Sequence, residues 1–186
     1  MPFQRPKKRE PVGEAGLFEY AVGTLARRMR TERDLRRLMR LRAEPGEAGE
    51  QAMDAVVTRL IDLKYLSDTR FAADYTRLRK ENEKFGKRRV QQDLAQKGIQ
   101  KQLISDTIST FYDDVDEVAL ARTYCEKKRI KHPQGIDSKK ETSRIVNRLL
   151  RAGFSSNSIF KLLRTWNVET PIEELSETDT EDLPEF

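Results

Sequence analysis

The stretch DTRFAADYTRLRKENEKFGKRRVQQDLAQKGI, residues 68–99, decides the fold class of this chain. Its first apolar residues recur at helical spacing, in the order Phe71, Ala72, Tyr75 and Leu78. After Phe85-Gly86, a second apolar stripe begins with Val90 and Leu94. The pattern predicts two short helices, each with one buried face.

The second of these helices opens with three consecutive basic residues, Lys87-Arg88-Arg89, called here the Lys87–Arg89 cluster. The positive end of the helix dipole lies there and favours acidic residues, by about 0.3–1 kcal/mol per charge. Helix stability therefore does not call for this cluster. An ordinary solvated charged face is the alternative, but a basic run without acids favours contact with a polyanion or an acidic protein surface.

Composition supports an all-α fold. Hydrophobic residues make up 37% of the 186 residues and charged residues 36%, which suits an elongated helical assembly better than a compact sphere. No segment between Leu17 and Trp166 has the pattern of several alternating strands. Without a long apolar run or a signal-peptide pattern, and with Cys125 as the single cysteine, we expect a cytoplasmic protein with Cys125 buried.

The charge is divided unevenly along the chain. Net charge is +5, yet residues 169–186 contain eight acidic residues and no basic one, so residues 1–168 carry +13. A basic body of this kind typically meets nucleic acid or an acidic partner. We expect residues 1–16 to form a disordered basic arm and residues 169–186 a disordered acidic tail. The tail either keeps the chain soluble or mimics phosphates by occupying the basic surface.

Two segments of the chain repeat one pattern. Leu94, Gly98 and Ile99 recur as Leu149, Gly153 and Phe154 at the same offsets. Each glycine is predicted to end a helix in the left-handed conformation, with the next apolar residue folding back on the leucine, as in a Schellman turn. A helix upstream of each turn completes a predicted three-helix unit.

The full chain then divides into three tandem three-helix repeats, which stack as in a solenoid. The predicted boundaries are residues 17–66, 68–112 and 115–166. In the first repeat we expect helices at about 17–28 and 52–63, a loop over 43–50, and a Thr31 N-cap with Asp34 completing a capping box. Asp68 is the predicted N-cap of the next helix. An elongated body of this kind needs no second copy to fold, so we expect a monomer.

The candidate partner-binding residues are all basic. The helix after Thr31 carries Arg33, Arg36, Arg37 and Arg40 at helical spacing with no acid among the four, and we call them the Arg33–Arg40 cluster. Phosphate oxygens or acidic protein groups are the predicted partners of this cluster and of Arg70, Arg79, Lys87, Arg88, Arg89, Lys97 and Lys101. The aromatic residues Phe71, Tyr75 and Phe85 could stack on bases, but their helical spacing favours the core.

Catalysis is not predicted. His132 is the only histidine, and it lies in a Lys-His-Pro loop, which gives no basis for a nucleophile–histidine pair or a histidine-rich metal site. The sequence contains neither a Walker lysine motif nor GxGxxG. We therefore expect no enzyme activity, no metal and no cofactor.

At this point the sequence resembles the RecX family, regulators of the bacterial recombinase RecA. The resemblance covers about residues 17–166 and is carried by Tyr65-Leu66, Asp68, Arg70-Phe71-Ala72, Tyr75, Phe85-Gly86, Arg88-Arg89, Lys97-Gly98-Ile99 and the turn at Arg151–Ser155. Lys64 and Ser67 depart from the family pattern, in which Gly and Asp are common at these positions.

The resemblance implies three tandem three-helix repeats in a curved body. It also implies binding along RecA assembled on single-stranded DNA, with inhibition of ATP hydrolysis, filament growth and strand exchange, and hence modulation of DNA repair, recombination and the SOS response. Two alternatives stay open: a helical nucleic-acid-binding protein that acts without RecA, and a scaffold for an acidic protein partner.

Overall fold

The computed structural model describes residues 10–133 and 138–166. These residues form nine α-helices and no β-strand, apart from one isolated bridge between Val12 and Ala43. In chain order the helices are α1 (Glu14–Leu25), α2 (Glu32–Met39), α3 (Glu47–Asp62), α4 (Asp68–Leu78), α5 (Lys87–Gln96), α6 (Lys101–Tyr112), α7 (Glu117–Lys127), α8 (Ser138–Arg151) and α9 (Ser156–Thr165). A π-helical turn, Arg79–Glu83, follows α4. The predicted all-α fold is confirmed.

The chain divides into two compact units. Unit 1 contains residues up to Leu78 and residues 91–111, and unit 2 contains residues 79–90 and those from Tyr112 onward. The boundaries of the three predicted repeats, and the curved shape, stay predictions. The acidic tail and residues 1–9 of the predicted basic arm lie outside the described residues.

One core cluster of unit 1 is formed mainly by α1, α2 and α3. Its buried residues are Leu17, Ala21, Leu35, Met39, Met53, Val56, Val57, Leu60 and Leu66. Helix α1 begins at Glu14 rather than at Leu17, because Val12 already anchors the chain: its N–H donates to the Arg42 carbonyl at 2.8 Å. The end of the predicted arm is therefore ordered.

The predicted loop over residues 43–50 is shorter in the structure, since α3 begins at Glu47. Gly46, with φ +88°, provides the turn into the helix. Gly49, which the sequence pattern placed in the loop, lies in the helix where the Glu44 carbonyl comes too close to admit a Cβ atom. Both glycines serve α3, and neither breaks it.

The core of unit 2 is formed by α7, α8 and α9. It contains Ala121, Tyr124, Cys125, Ile145, Val146, Leu149, Ala152, Phe154, Ile159, Leu162 and Leu163. Cys125 is buried as predicted. Trp166 packs against the edge of this core at the end of α9.

Both predicted Schellman turns are confirmed. At Gly98, φ is +80° and the Ile99 N–H donates to the Leu94 carbonyl at 3.1 Å; at Gly153, φ is +91° and the Phe154 N–H donates to the Leu149 carbonyl at 3.2 Å. Two further turns of the same kind occur where no glycine is present. Lys64 (φ +61°) and Arg129 (φ +52°) take the left-handed position there.

Candidate functional site

The Lys87–Arg89 cluster is held in place through the backbone of unit 2. The Gly86 N–H donates to the Ala152 carbonyl at 2.9 Å, and the Arg88 N–H donates to the Gly153 carbonyl at 3.3 Å. A Cβ atom on Gly86 would overlap the Gly153 carbonyl group, and one on Gly153 would lie 2.8 Å from the Gly86 oxygen. The first turn of α5 can approach the end of α8 only because both residues are glycines.

This contact changes the interpretation of the charge at the start of α5. The carbonyls at the C-terminal end of α8 carry the negative end of that helix dipole, and they accept hydrogen bonds from the first turn of α5. The repulsion between the Lys87–Arg89 cluster and its own helix is thereby reduced. Stability therefore accounts for part of the arrangement, contrary to the sequence argument, while all three basic side chains stay exposed.

Phe85 links two of the predicted site residues. Its ring packs against the core of unit 2, and the guanidinium carbons of Arg79 and Arg89 lie 5.8 and 5.9 Å from its centroid. The Phe85 carbonyl accepts a hydrogen bond from the Tyr112 hydroxyl at 2.8 Å. Phe85 is thus a packed residue that also orients two arginines, within the range of cation–π contact.

The carboxylate of Glu117 interacts electrostatically with Lys87. This carboxylate accepts hydrogen bonds from the Ser155 N–H at 2.9 Å and from the Ser155 and Ser158 hydroxyls, both at 2.6 Å. Burial works to raise the pKa of this carboxyl, but the hydroxyl and backbone donors, with the charge of Lys87, lower it overall. Glu117 stays ionised and supports the N-terminus of α9.

The Arg33–Arg40 cluster is largely neutralised within unit 1. Arg36 pairs with Glu32 at 2.8 Å and with Asp54 at 2.6 Å, and Arg40 pairs with Glu50 at 3.0 Å. The premise that these arginines lack acids is therefore wrong, because α3 supplies two of the carboxylates. Arg37 is more exposed than Arg36 or Arg40, with its side chain 70% accessible and its nearest carboxylate, that of Asp34, at 3.7 Å.

Arg33 and Lys97 stabilise the turn at Gly98. The Arg33 guanidinium donates to the Gln96 carbonyl at 3.0 Å, and the Lys97 ammonium pairs with Asp34 at 3.1 Å. Thr31 caps α2 as predicted by accepting from the Asp34 N–H at 3.1 Å, and its hydroxyl donates to the Lys97 carbonyl. The Asp34 carboxylate thus serves Lys97 rather than a capping box.

Asp68 does not cap its own helix. Ser67 caps α4 instead, since its hydroxyl accepts from the Arg70 N–H at 3.2 Å. The Asp68 carboxylate accepts from the Glu32 N–H at 2.9 Å and so supports the N-terminus of α2. The side chains of Arg70 and Lys101, also predicted to bind a partner, are exposed in unit 1.

The structure therefore brings Arg79, Lys87, Arg88 and Arg89 together in unit 2, and it assigns internal roles to Arg33, Arg36, Arg40 and Lys97 in unit 1. Sequence reasoning missed the exposure of several apolar residues in unit 1, among them Ile61, Leu63 and Tyr65, which are 42%, 49% and 60% accessible. Ile61 and Leu63 fall outside the buried stripe of α3, and this mismatch is the signal that could have identified them, whereas Tyr65 lies beyond the end of the helix.

Two of the hollows in the described part of the chain bear on the candidate site. The larger, of about 540 Å³, is in unit 2 beside Cys125, His132 and Trp166, and burial raises the pKa of the Cys125 thiol to about 11. The smaller, of about 320 Å³, is in unit 1 beside Ile61 and Asp68. Within residues 10–133 and 138–166, no group of three potential metal-ligating side chains occurs, and no helix is long and apolar enough to cross a bilayer.

Comparison with known proteins finds similarity to regulatory proteins named RecX. Residues 67–108 match the family model of the second three-helix domain of RecX. The regulatory protein RecX of Geobacillus kaustophilus is 27% identical over 157 residues, which are 84% of this chain and 56% of that protein. The regulatory protein RecX of Listeria innocua is 26% identical over 137 residues, which are 73% of this chain and 48% of that protein.

Two solved structures share the fold. The crystal structure of RecX from Lactobacillus salivarius aligns with a TM-score of 0.59 at 20% identity, covering 83% of this chain and 96% of that one. A second crystal structure, of a regulatory protein RecX, aligns with a TM-score of 0.65 at 22% identity, covering 82% of this chain and 73% of that one. The chain spans about half the length of the two curated relatives.

Proposed function

Because this chain belongs to the RecX family, we propose that it is a non-enzymatic, cytoplasmic regulator of RecA that binds RecA assembled on single-stranded DNA. By occupying the filament it inhibits ATP hydrolysis, filament extension and strand exchange, and so modulates recombination and DNA repair. The observation that carries the proposal is the Lys87–Arg89 cluster, which lies inside the matched segment 67–108 and is exposed at a rigid position.

The rigidity of this position favours binding. A basic side chain on a flexible arm loses conformational entropy when it contacts a phosphate, whereas the backbone of α5 is already fixed by Gly86 and Gly153. Arg79 adds a fourth cation to the same unit, since it and Arg89 contact the ring of Phe85. Phosphate oxygens of the DNA, or carboxylates on RecA, are the groups that these side chains would bind.

The test compares the triple variant K87A/R88A/R89A with the wild-type chain in a RecA ATPase assay on single-stranded DNA. Without the Lys87–Arg89 cluster, we expect the concentration for half-inhibition to rise by about tenfold or more. If DNA phosphates are the partners, the salt dependence of binding also becomes weaker, by about 0.7 in slope for each phosphate that the variant no longer neutralises.

The matched control is K139A/K140A/R144A, which removes the same charge from exposed positions on α8. We expect this control to inhibit within about twofold of the wild type. Full inhibition by a folded K87A/R88A/R89A protein would contradict the role of the cluster. No inhibition by the wild type, together with tight binding to bare DNA, would favour a nucleic-acid-binding protein that acts without RecA.

A further inference from the structure

We propose that the hollow in unit 1 and the exposed apolar residues beside it form a docking surface for a protein segment that carries an apolar residue next to a lysine or arginine. This inference rests on the proposed function, in which RecA supplies that segment. The surface consists of Ile61, Leu63, Tyr65 and Asp68, with Leu66 and Leu103 lining the hollow. This surface differs from the basic clusters, because the carboxylate of Asp68 gives it a negative charge.

The first argument is the exposure of Tyr65. In the Schellman turns at Gly98 and Gly153, the residue after the left-handed position is buried: Ile99 is 5% accessible and Phe154 is 0% accessible. Tyr65 occupies the same place after Lys64, with its N–H donating to the Leu60 carbonyl at 2.9 Å, yet it is 60% accessible. The turn thus presents the aromatic ring to solvent on a fixed backbone.

Ile61 and Leu63 are two further exposed apolar residues near the end of α3. They are 42% and 49% accessible, although the neighbouring Leu60 and Leu66 are buried. Ile61 also lines the hollow of about 320 Å³, which has room for one long side chain. Exposed apolar groups concentrated at one helix end, with a tyrosine among them, are typical of protein interaction surfaces.

The second argument is the charge of the hollow. Among the described residues, no lysine, arginine or histidine forms an ion pair with Asp68, whose carboxylate receives only the Glu32 N–H. The Glu32 carboxylate is bound by Arg36 at 2.8 Å, and Lys64, a described residue at the rim, forms no ion pair with Asp68. Although residues 1–168 carry a net charge of +13, none of the described basic side chains forms an ion pair with this half-buried carboxylate.

These features favour a protein partner over nucleic acid. Phosphates would meet the carboxylates of Asp68 and Glu32, whereas a lysine or arginine could place its aliphatic stem against Ile61 and Leu103 and its cationic head on Asp68. An apolar neighbour of that residue would then contact Leu63 and Tyr65. Aliphatic packing and a charge-assisted hydrogen bond would together give the contact its specificity.

The experiment measures binding to RecA filaments and to bare DNA separately. Filaments are assembled on single-stranded DNA with a non-hydrolysable ATP analogue, and the chain is co-sedimented with them at increasing concentration. Anisotropy of the same labelled DNA without RecA gives the affinity for bare DNA. We expect L63A/Y65A to weaken filament binding by about tenfold and D68N by about threefold, with bare-DNA affinity unchanged within about twofold.

Matched controls separate docking from folding. L41A removes another exposed apolar side chain of unit 1, 79% accessible, and is expected to bind filaments like the wild type. D68N keeps an acceptor for the Glu32 N–H, so we expect its urea midpoint to be no lower than that of the wild type, and we expect an unchanged midpoint for L63A/Y65A. Loss of filament binding without a fall in midpoint supports the docking surface.

Each other outcome overturns the inference in a distinguishable way. Wild-type filament binding by folded L63A/Y65A and D68N would exclude this surface and leave the proposed function intact. Equal loss of filament and bare-DNA binding would assign the surface to nucleic acid. Failure of the wild-type chain itself to sediment with filaments would refute the proposed function and, with it, the inference.

Discussion

The Arg33–Arg40 cluster and the Lys87–Arg89 cluster look alike in sequence but are used differently. In the first, α3 supplies Asp54 and Glu50, so that Arg36 and Arg40 form ion pairs within unit 1. In the second, the backbone of α8 holds the first turn of α5 in place, and the side chains are exposed. The difference teaches that a run of arginines indicates a binding surface only after the acids of neighbouring helices have been located.

The largest effect is expected from G153A, which breaks the backbone contact behind the Lys87–Arg89 cluster. Gly153 has φ +91°, and a Cβ atom there would lie too close to the Arg89 backbone nitrogen and 2.8 Å from the Gly86 oxygen. Strain and overlap together should lower the free energy of unfolding by about 2–4 kcal/mol, measured by urea denaturation.

G98A is the matched control for that variant. Gly98 has a similar φ of +80°, but the atoms nearest to a Cβ atom there belong to the Arg33 side chain, which can move. We expect a smaller loss of about 1–2 kcal/mol. Equal losses for the two variants would show that the left-handed conformation, and not the contact with α5, explains the need for glycine.

The variant E117Q tests the contribution of Glu117, whose carboxylate interacts electrostatically with Lys87 of the Lys87–Arg89 cluster. The carboxylate accepts three charge-assisted hydrogen bonds, and its neutralisation should lower the free energy of unfolding at pH 7 by about 1–2 kcal/mol. Because the pKa of Glu117 is lowered in the folded chain, the contribution is fully present above the ordinary glutamate pKa of about 4.3. Urea titrations should show the difference between wild type and E117Q closing as the pH falls below that value.

The variant D68N is a control for E117Q, because the pKa of Asp68 is shifted in the opposite direction to that of Glu117. Burial raises the pKa of Asp68, so its ionised form is disfavoured in the folded chain. A raised pKa stabilises the fold at low pH, and that stabilisation is lost as the pH rises through the folded pKa. We therefore expect D68N to be as stable as the wild type, or more stable, at pH 7. A pH dependence identical to that of E117Q would contradict this assignment.

R36A tests whether the Arg33–Arg40 cluster is structural. Arg36 bridges Glu32 and Asp54 and links α2 to α3, so its loss should cost about 1 kcal/mol of unfolding free energy at low salt. R37A, at an exposed position 3.7 Å from its nearest carboxylate, should cost less than about 0.5 kcal/mol. A larger loss for R37A than for R36A would refute this division within the cluster.

The smallest expected effect is a gain in stability. Arg129 takes the left-handed position of a Schellman turn at φ +52°, where glycine is less strained. R129G should raise the free energy of unfolding by up to about 1 kcal/mol, since relief of strain is partly offset by the greater freedom of glycine in the unfolded chain. A loss of stability on urea denaturation would indicate that the arginine side chain contributes more than the strain costs.

Of the helix-ending turns, the two that contain glycine were recognised from the sequence. Gly98 and Gly153 combined a residue suited to positive φ with an apolar pair at fixed offsets, and both turns form as predicted. Lys64 and Arg129 were missed because neither residue type favours that conformation. The pairs Leu60/Tyr65 and Cys125/Ile130 have the same spacing as Leu94/Ile99, so the apolar pair is the more general signal.

Long-range partners limited what could be predicted of the candidate site. The carboxylates that pair with Arg36 and Arg40 across the unit belong to α3. The Asp68 carboxylate, which was expected to cap α4, instead accepts a hydrogen bond from the N-terminus of α2. Local spacing contains no information about such pairings. The exposure of the Lys87–Arg89 cluster followed from its sequence, whereas the backbone contact behind it did not, because its two halves lie far apart in the chain.

The contact between Gly86 and Gly153 also constrains how the sequence can evolve. A side chain that clashes with another side chain can be accommodated by a smaller partner, but each of these positions faces main-chain atoms of the other. Both residues are already the smallest available, so no second substitution can compensate for a change at either one. Such a pair leaves no covariation: homologous chains that keep this contact should keep both glycines, and chains in which one glycine is replaced should not form the contact at all.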